Sequence, residues 1–203
     1  MKLLFSCVLV LLISSYSAAR SSLEVPNYEV LEKLASNIEI RKYEETKWVA
    51  TSAEGDAKDS RTYSSTMFNK LFNYISGQNS DNKKIEMTAP VTTIYNNKEN
   101  SLITPESRVH MSMRFYVPRE FHDNTPQPTG DAYLETDSEM VVASIQFGGY
   151  ATMDDNLRYR DLLIEALGAE ASKYDTVNII TAGYDSPYKP IRRRNEVWLR
   201  RID

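Results

Sequence analysis

The residues able to do chemistry in this chain are few, and their types exclude more than they offer. Histidine occurs twice, as His110 and His122. His110 falls on the polar side of an alternating run and His122 in a proline-containing loop. No second ligand type clusters beside either, so both read as surface histidines rather than metal ligands. Neighbouring carboxylates such as Glu44-Glu45 and Asp154-Asp155 read as solvated charge. There is no Gly-x-Ser-x-Gly elbow, phosphate-cradling glycine loop, His-Glu-x-x-His helix or EF-hand pattern. No catalytic residue and no metal ligand is assigned. Two features remain. Lys189, Arg192, Arg193, Arg194, Arg200 and Arg201 crowd the C-terminus of a chain whose formal net charge is −4. A basic patch in an anionic protein is a poor footprint for nucleic acid. It suits a small carboxylate-bearing ligand, since Arg pairs bidentately and Lys acts as a point charge; the alternative is a solvated face. The second feature is apolar. Tyr63, Met67, Phe68, Leu71, Phe72 and Ile75 recur at helical spacing, and the stripe is either core or one wall of a flat binding site.

That stripe predicts a helix over residues 59–77, capped by Asp59 or Ser60 and ended by a left-handed Gly77. A polar loop, 78–83, leads into residues 84–91, expected to form a strand with Pro90 at an edge or bulge. The plan repeats: a helix over 155–167, Gly168 to end it, and a strand over 177–183. Both segments carry a Thr-Ala pair, Thr88-Ala89 and Thr181-Ala182. Residues 20–30 read as an extended lead-in around Pro26. Residues 38–41 and 47–51 are expected to pair as a hairpin across Glu44-Glu45. Val109, Met111, Met113, Phe115 and Val117 alternate with polar residues and predict a half-buried strand. Residues 118–130, with Pro126 and Pro128, form a long loop of the kind that is often functional. Residues 141–147 and 196–202 complete the strands. Many antiparallel strands and two helices in two similar halves predict an α+β fold, a curved sheet or distorted β-barrel with one helix per half.

The N-terminus carries a different signal. After Lys2, residues 3–13 are almost wholly apolar but too few to span a bilayer, and Ser17-Ala18-Ala19 fits a cleavage site. Residues 1–19 are expected to be a secretory signal peptide, and residues 20–203 a single extracellular domain. Its removal leaves 23 basic and 28 acidic residues, or −5. It also removes Cys7, the only cysteine, so the domain carries no disulfide and stands on its core. No second apolar stretch is available as a membrane anchor. A monomer free of the membrane is expected, and no protein partner is identified.

Several segments, in order from residue 28 onward, together resemble the SOUL heme-binding protein family. They are Tyr28-Glu29-Val30, Glu39-Ile40-Arg41, Lys47-Trp48-Val49, residues 74–79, Met87-Thr88-Ala89-Pro90-Val91, Gln146-Phe147-Gly148-Gly149-Tyr150, residues 181–187, Lys189-Pro190 and residues 193–199. The resemblance implies one SOUL domain, a distorted antiparallel β-barrel flanked by two α-helices with a pseudo-twofold repeat. The effector domains of bacterial multidrug-response regulators have a similar fold. It implies heme or a related tetrapyrrole as ligand, held in a shallow groove between the first helix and the loop before the last strand. By position, Phe68, Leu71, Phe72 and Ile75 would form the apolar wall, and Lys70 and Lys189 would hold the propionates. A further helix arginine of one branch falls on Ser65. A histidine proposed as axial ligand in another branch falls on Lys42, so the iron is not expected to be His-ligated. A ligand of about 40 heavy atoms at roughly 0.3 kcal/mol each reaches about 12 kcal/mol without an iron bond, which is nanomolar affinity. The rival reading is a secreted interaction or signalling protein, with the loop around Pro126 and Pro128 as the presenting surface.

Overall fold

The computed structural model describes residues 23–202; the expected signal peptide, residues 1–19, lies outside them. Nine strands and two helices follow in the order β1 (Tyr28–Ala35), β2 (Ile38–Tyr43), β3 (Thr46–Asp56), α1 (Ser60–Ile75), β4 (Val91–Asn97), β5 (Arg108–Tyr116), β6 (Tyr133–Asp137), β7 (Met140–Phe147), α2 (Met153–Leu167), β8 (Ile179–Gly183) and β9 (Asn195–Arg200). The strands form one antiparallel sheet in the order β1-β2-β7-β9-β8-β4-β5-β3-β6. The α+β class and the repeat are present. Outward from the β4–β8 junction, each half reads hairpin, then the strand that precedes its helix; β6 then ends the first half, and β2 and β1 end the second. The first half is β3-α1-β4-β5 and the second β7-α2-β8-β9.

The barrel expectation is corrected. The two terminal strands of the order, β1 and β6, do not pair with one another, so the sheet is open. The expected hairpin between residues 38–41 and 47–51 is also absent. β2 pairs with β1 and β7, whereas β3 pairs with β5 and β6. Glu44-Glu45 thus links the two halves rather than turning one hairpin, because each strand finds its partners in its own half. Residues 84–90 make no ladder, and β4 begins only at Val91. Pro90 has no N–H to give a ladder. The segment is held otherwise: Ile85 N–H donates to the Ile75 carbonyl at 2.8 Å, and Thr88 Oγ1 to the Tyr116 carbonyl at 2.7 Å. β1 and β6 were not expected as strands; neither has a clean alternation, and β1 is exposed along its whole length.

Local chemistry explains the helices. Thr152 and Asp155 cap α2 reciprocally, and Gly168 ends it at φ +55°, a conformation costly for any residue with a Cβ. At α1, Asp59 occupies the cap position without a side-chain capping bond, and Gly77 follows at φ +113°. Both helices pack on one sheet face, where Met67, Leu71, Leu157 and Leu163 meet Met111, Phe115, Val197 and Leu199. Each such side chain contributes about 1.5–3 kcal/mol on burial. The opposite face is buried too, around Tyr43, Val142, Ile180 and Trp198, but it also carries Arg41, Arg114 and Glu196.

Candidate functional site

Helix α1 divides its stripe between two tasks. Leu71 and Ile75 are buried in the core, so they support the helix and present no binding surface; an open Leu71 is not observed. Phe68 is half-buried. Its ring meets Phe115 edge-on at 5.1 Å and stacks on Phe72 at 6.0 Å and 14°. Phe72 is 47% exposed. At about 100° per residue, Arg61, Ser65, Phe68 and Phe72 fall on one flank of the helix. Lys70 lies about 160° around the helix from Phe72. Its ammonium pairs with Asp131 at 2.8 Å, which holds that carboxyl below its ordinary range. Lys70 therefore faces the loop before β6, and the structure does not bring it to the Phe68/Phe72 flank.

That flank looks toward the centre of the sheet. Phe115, under Phe68, is register partner to Val91, Val91 to Gly183, and Gly183 to Asn195. The loop 184–194, which carries Lys189, thus leaves the sheet two strands from the ring beneath Phe68. Its shape is set by its own polar groups. Arg193 lies over Tyr150 at 4.5 Å and donates to the carbonyls of Ser186 and Lys189 at 2.5 and 3.0 Å. Lys189 Nζ pairs with Asp185 at 2.5 Å. Burial of the Asp185 carboxyl acts to raise its pKa, and the Lys189 bond with the Arg194 N–H more than offsets this. An incoming carboxylate would compete with Asp185 for Lys189.

The second half repeats the geometry with a different filling. Loop 98–107, between β4 and β5, reaches across to α2. There Ile103 is 1% exposed and its carbonyl accepts from Arg160 Nη1 at 2.6 Å. The concavity beside it, of about 500 Å³, is lined by Ile103, Pro105, Asp154, Leu157, Asp161 and Glu165 among others.

On the helix-free face, one row crosses four strands through Glu196, Ala182, Thr92 and Arg114. Glu196 accepts from Arg41 at 2.8 and 3.2 Å, Arg194 at 2.6 and 2.9 Å, Trp198 Nε1 at 2.7 Å and the Tyr184 hydroxyl at 2.9 Å. Burial acts to raise its pKa, but Arg41 and then Arg194 overcome that and hold it below the ordinary range. Arg114, in the mirrored position, pairs with Asp137 at 2.8 Å and lies over Trp48 at 4.5 Å, while its Nη2 is buried without a protein partner. The Glu196 end of the row is saturated, a structural use of charge, whereas the Arg114 end keeps one nitrogen without a protein partner.

The histidines stay local. His122 Nε2 lies 2.9 Å from the Val117 carbonyl, and its ring meets Tyr116 edge-on at 5.6 Å. His110 lies 3.7 Å from Glu54. Lys42 pairs with Glu139 at 2.8 Å. Among the described residues no cluster of three or more His, Cys, Asp or Glu could hold a metal. Sequence reasoning passed over Arg61, although the spacing 61-65-68-72 places it on the same flank as the two phenylalanines. Nor does any local signal place Val91 and Gly183 in register with Phe115, since strand pairing joins residues far apart in sequence.

A family profile described as SOUL heme-binding protein matches residues 23–200. Heme-binding protein 2 of Homo sapiens is 34% identical over 186 residues, covering 90% of this chain and 88% of its own length. Heme-binding protein 1 of Xenopus tropicalis is 33% identical over 168 residues, covering 82% and 85%. Among solved structures, the EcmrR C-terminal domain aligns with a TM-score of 0.54 at 14% identity, over 85% of this chain and 96% of its own. EcmrR in its DNA complex aligns at 0.58 and 13% identity, over 81% and 57%. At such identities these two share the fold alone.

Proposed function

The chain belongs to the SOUL heme-binding protein family, and from that premise we propose that it binds heme or a related tetrapyrrole without catalysis. The macrocycle lies against Phe68 and Phe72, over a floor that includes Val91 and Gly183, with Lys189 at its polar edge. The observation that carries this reading is the stacked Phe68–Phe72 pair, left open on the flank of α1 that faces the centre of the sheet. Flat aromatic surface is what a macrocycle face packs against. Leu71 and Ile75 act from behind, by fixing the helix.

Iron contributes little in this reading. Lys42 is engaged by Glu139, His122 by its own loop, and His110 sits beside Glu54. Binding then rests on ring burial, with propionates held at a wet rim where each ion pair is worth about 0.2–1 kcal/mol. The test is side-by-side titration with heme and metal-free protoporphyrin. Affinities within tenfold are expected. A hundredfold preference for heme, about 2.7 kcal/mol, would reveal an axial ligand and overturn the geometry. We also propose that the protein is exported with cleavage near Ala19; N-terminal sequencing of natural material should then begin near Arg20, and an intact Met1 would refute export.

A further inference from the structure

The apex of loop 184–194 is apolar, exposed and stiff. Tyr188 is 92% exposed and Ile191 70%. The corresponding loop of the other half tucks its isoleucine, Ile103, to 1% exposure. Flexibility does not account for the contrast. The Lys189 N–H closes a turn on the Ser186 carbonyl at 3.0 Å. The Tyr150 hydroxyl reaches the carbonyls of Pro187 and Lys189 at 3.3 and 3.4 Å. Arg193 fastens three carbonyls from below while lying on Tyr150, and Pro187 and Pro190 restrict the backbone further. The loop spends its polar groups on holding Tyr188 and Ile191 away from the protein.

Charge surrounds this apex. Loop 184–194 holds Lys189, Arg192, Arg193 and Arg194 against Asp185, a surplus of three positive charges in a chain whose net is −4. Arg192 stands between the exposed Ile191 and the Arg193 clasp, at φ +51°. It is exposed and has no hydrogen bond or ion pair within the described residues. An aromatic with a polar tip, an aliphatic side chain and one free cation, Arg192, on a protruding turn match the layering of a bilayer surface: apolar groups enter below the headgroups, the tyrosine hydroxyl stays at the interface, and the cation meets lipid phosphates and carboxylates. A convex apex suits a compliant surface, whereas a protein partner would have to supply a matching concavity.

We propose that loop 184–194 docks the protein on anionic lipid surfaces, with Tyr188 and Ile191 inserted and Arg192 paired to headgroups. This contact is peripheral and is compatible with the lack, among the described residues, of any helix long and apolar enough to cross a membrane. It does not depend on tetrapyrrole binding, and its test uses the purified protein with no porphyrin added.

The test is co-sedimentation with vesicles of phosphatidylcholine alone and of phosphatidylcholine with phosphatidylserine. Binding to the anionic vesicles should exceed binding to neutral ones by about tenfold or more and fall as salt is raised. Tyr188→Ser with Ile191→Ser, and separately Arg192→Glu, should each weaken it by roughly tenfold or more, with unchanged melting temperature because all three side chains are exposed. Tyr188→Trp supplies a direct readout. The natural tryptophans Trp48 and Trp198 are fully buried, so a blue shift on anionic vesicles, quenched by spin-labelled lipid, reports insertion of the apex. Three results would overturn the proposal: no binding to anionic vesicles, equal binding to both vesicle types, or binding that survives the double substitution. A soluble protein that binds through this apex while vesicles do not would replace lipid as the partner.

Discussion

The two halves of the sheet set the same stage and fill it differently. Loop 98–107 of the first half reaches across to α2 of the second, buries Ile103, and is hooked by Arg160. In the first half, the flank of α1 keeps Phe72 nearly half exposed, and Ile191 of the counterpart loop points to solvent. The row Glu196–Ala182–Thr92–Arg114 shows the same contrast on the other face. Glu196 has its oxygens saturated by two arginines, a tyrosine and a tryptophan, whereas Arg114 keeps a nitrogen without a protein partner. The repeated fold places a loop beside each helix; at α2 the loop is packed down beside a concavity of about 500 Å³, whereas at α1 an aromatic flank stays exposed.

The strongest way to break this comparison is at the buried charges. Glu196→Gln should cost about 3–5 kcal/mol, because it leaves Arg41 buried beside a neutral partner. Chemical denaturation of the variant measures it, and a loss below 1 kcal/mol would mean the network is not structural. The pH dependence has a definite sign. The folded Glu196 carboxyl titrates below its ordinary value, so its contribution is fully present above the unfolded value near about 4.3. It is lost as pH falls through the lower folded value. Melting temperature of the wild type should fall on acidification below about pH 4, and the slope should be shallower in the glutamine variant.

Next come the two isoleucines. Ile103→Asp should destabilise by about 3 kcal/mol or more, since it buries an unpaired carboxylate. Ile191→Asp should stay within about 0.5 kcal/mol. Equal losses in a thermal melt would mean the loops are packed alike and the contrast is false.

The third prediction concerns the open flank. Phe72→Asp should leave the protein folded and weaken porphyrin binding about a hundredfold, whereas Leu71→Asp should unfold it. Circular dichroism beside porphyrin titration separates them; a folded Phe72→Asp protein with normal binding would remove this flank from the site. The smallest effects are the charges. Lys189→Ala should weaken binding less than tenfold, and Lys70→Ala should leave it unchanged, because Lys70 faces away and is held by Asp131. A large loss at Lys70 would place the ligand on the opposite flank.

What the sequence by itself determined is whatever depends on neighbours along the chain. The Met67, Leu71, Ile75 spacing specified α1, Gly77 and Gly168 its own and its counterpart's ends, and the alternation from Val109 to Val117 strand β5, since side-chain period and backbone φ are local properties. The recurrence of helix, glycine, loop and strand revealed the two halves. Only the tertiary structure decided which strands pair: Glu44-Glu45 has the chemistry of a turn yet joins β2 and β3 of different halves, because hydrogen-bond partners lie far apart in sequence. It also decided which flank of α1 faces the centre. A helical wheel places Lys70 and Phe72 on different sides, but the choice between them depends on Phe115 lying under one flank and Asp131 meeting the other. Likewise, Ile103 and Ile191 are the same residue in corresponding loops, and their burial at 1% and 70% depends on the tertiary setting: Arg160 of α2 holds the Ile103 carbonyl, a partner 57 residues away in sequence.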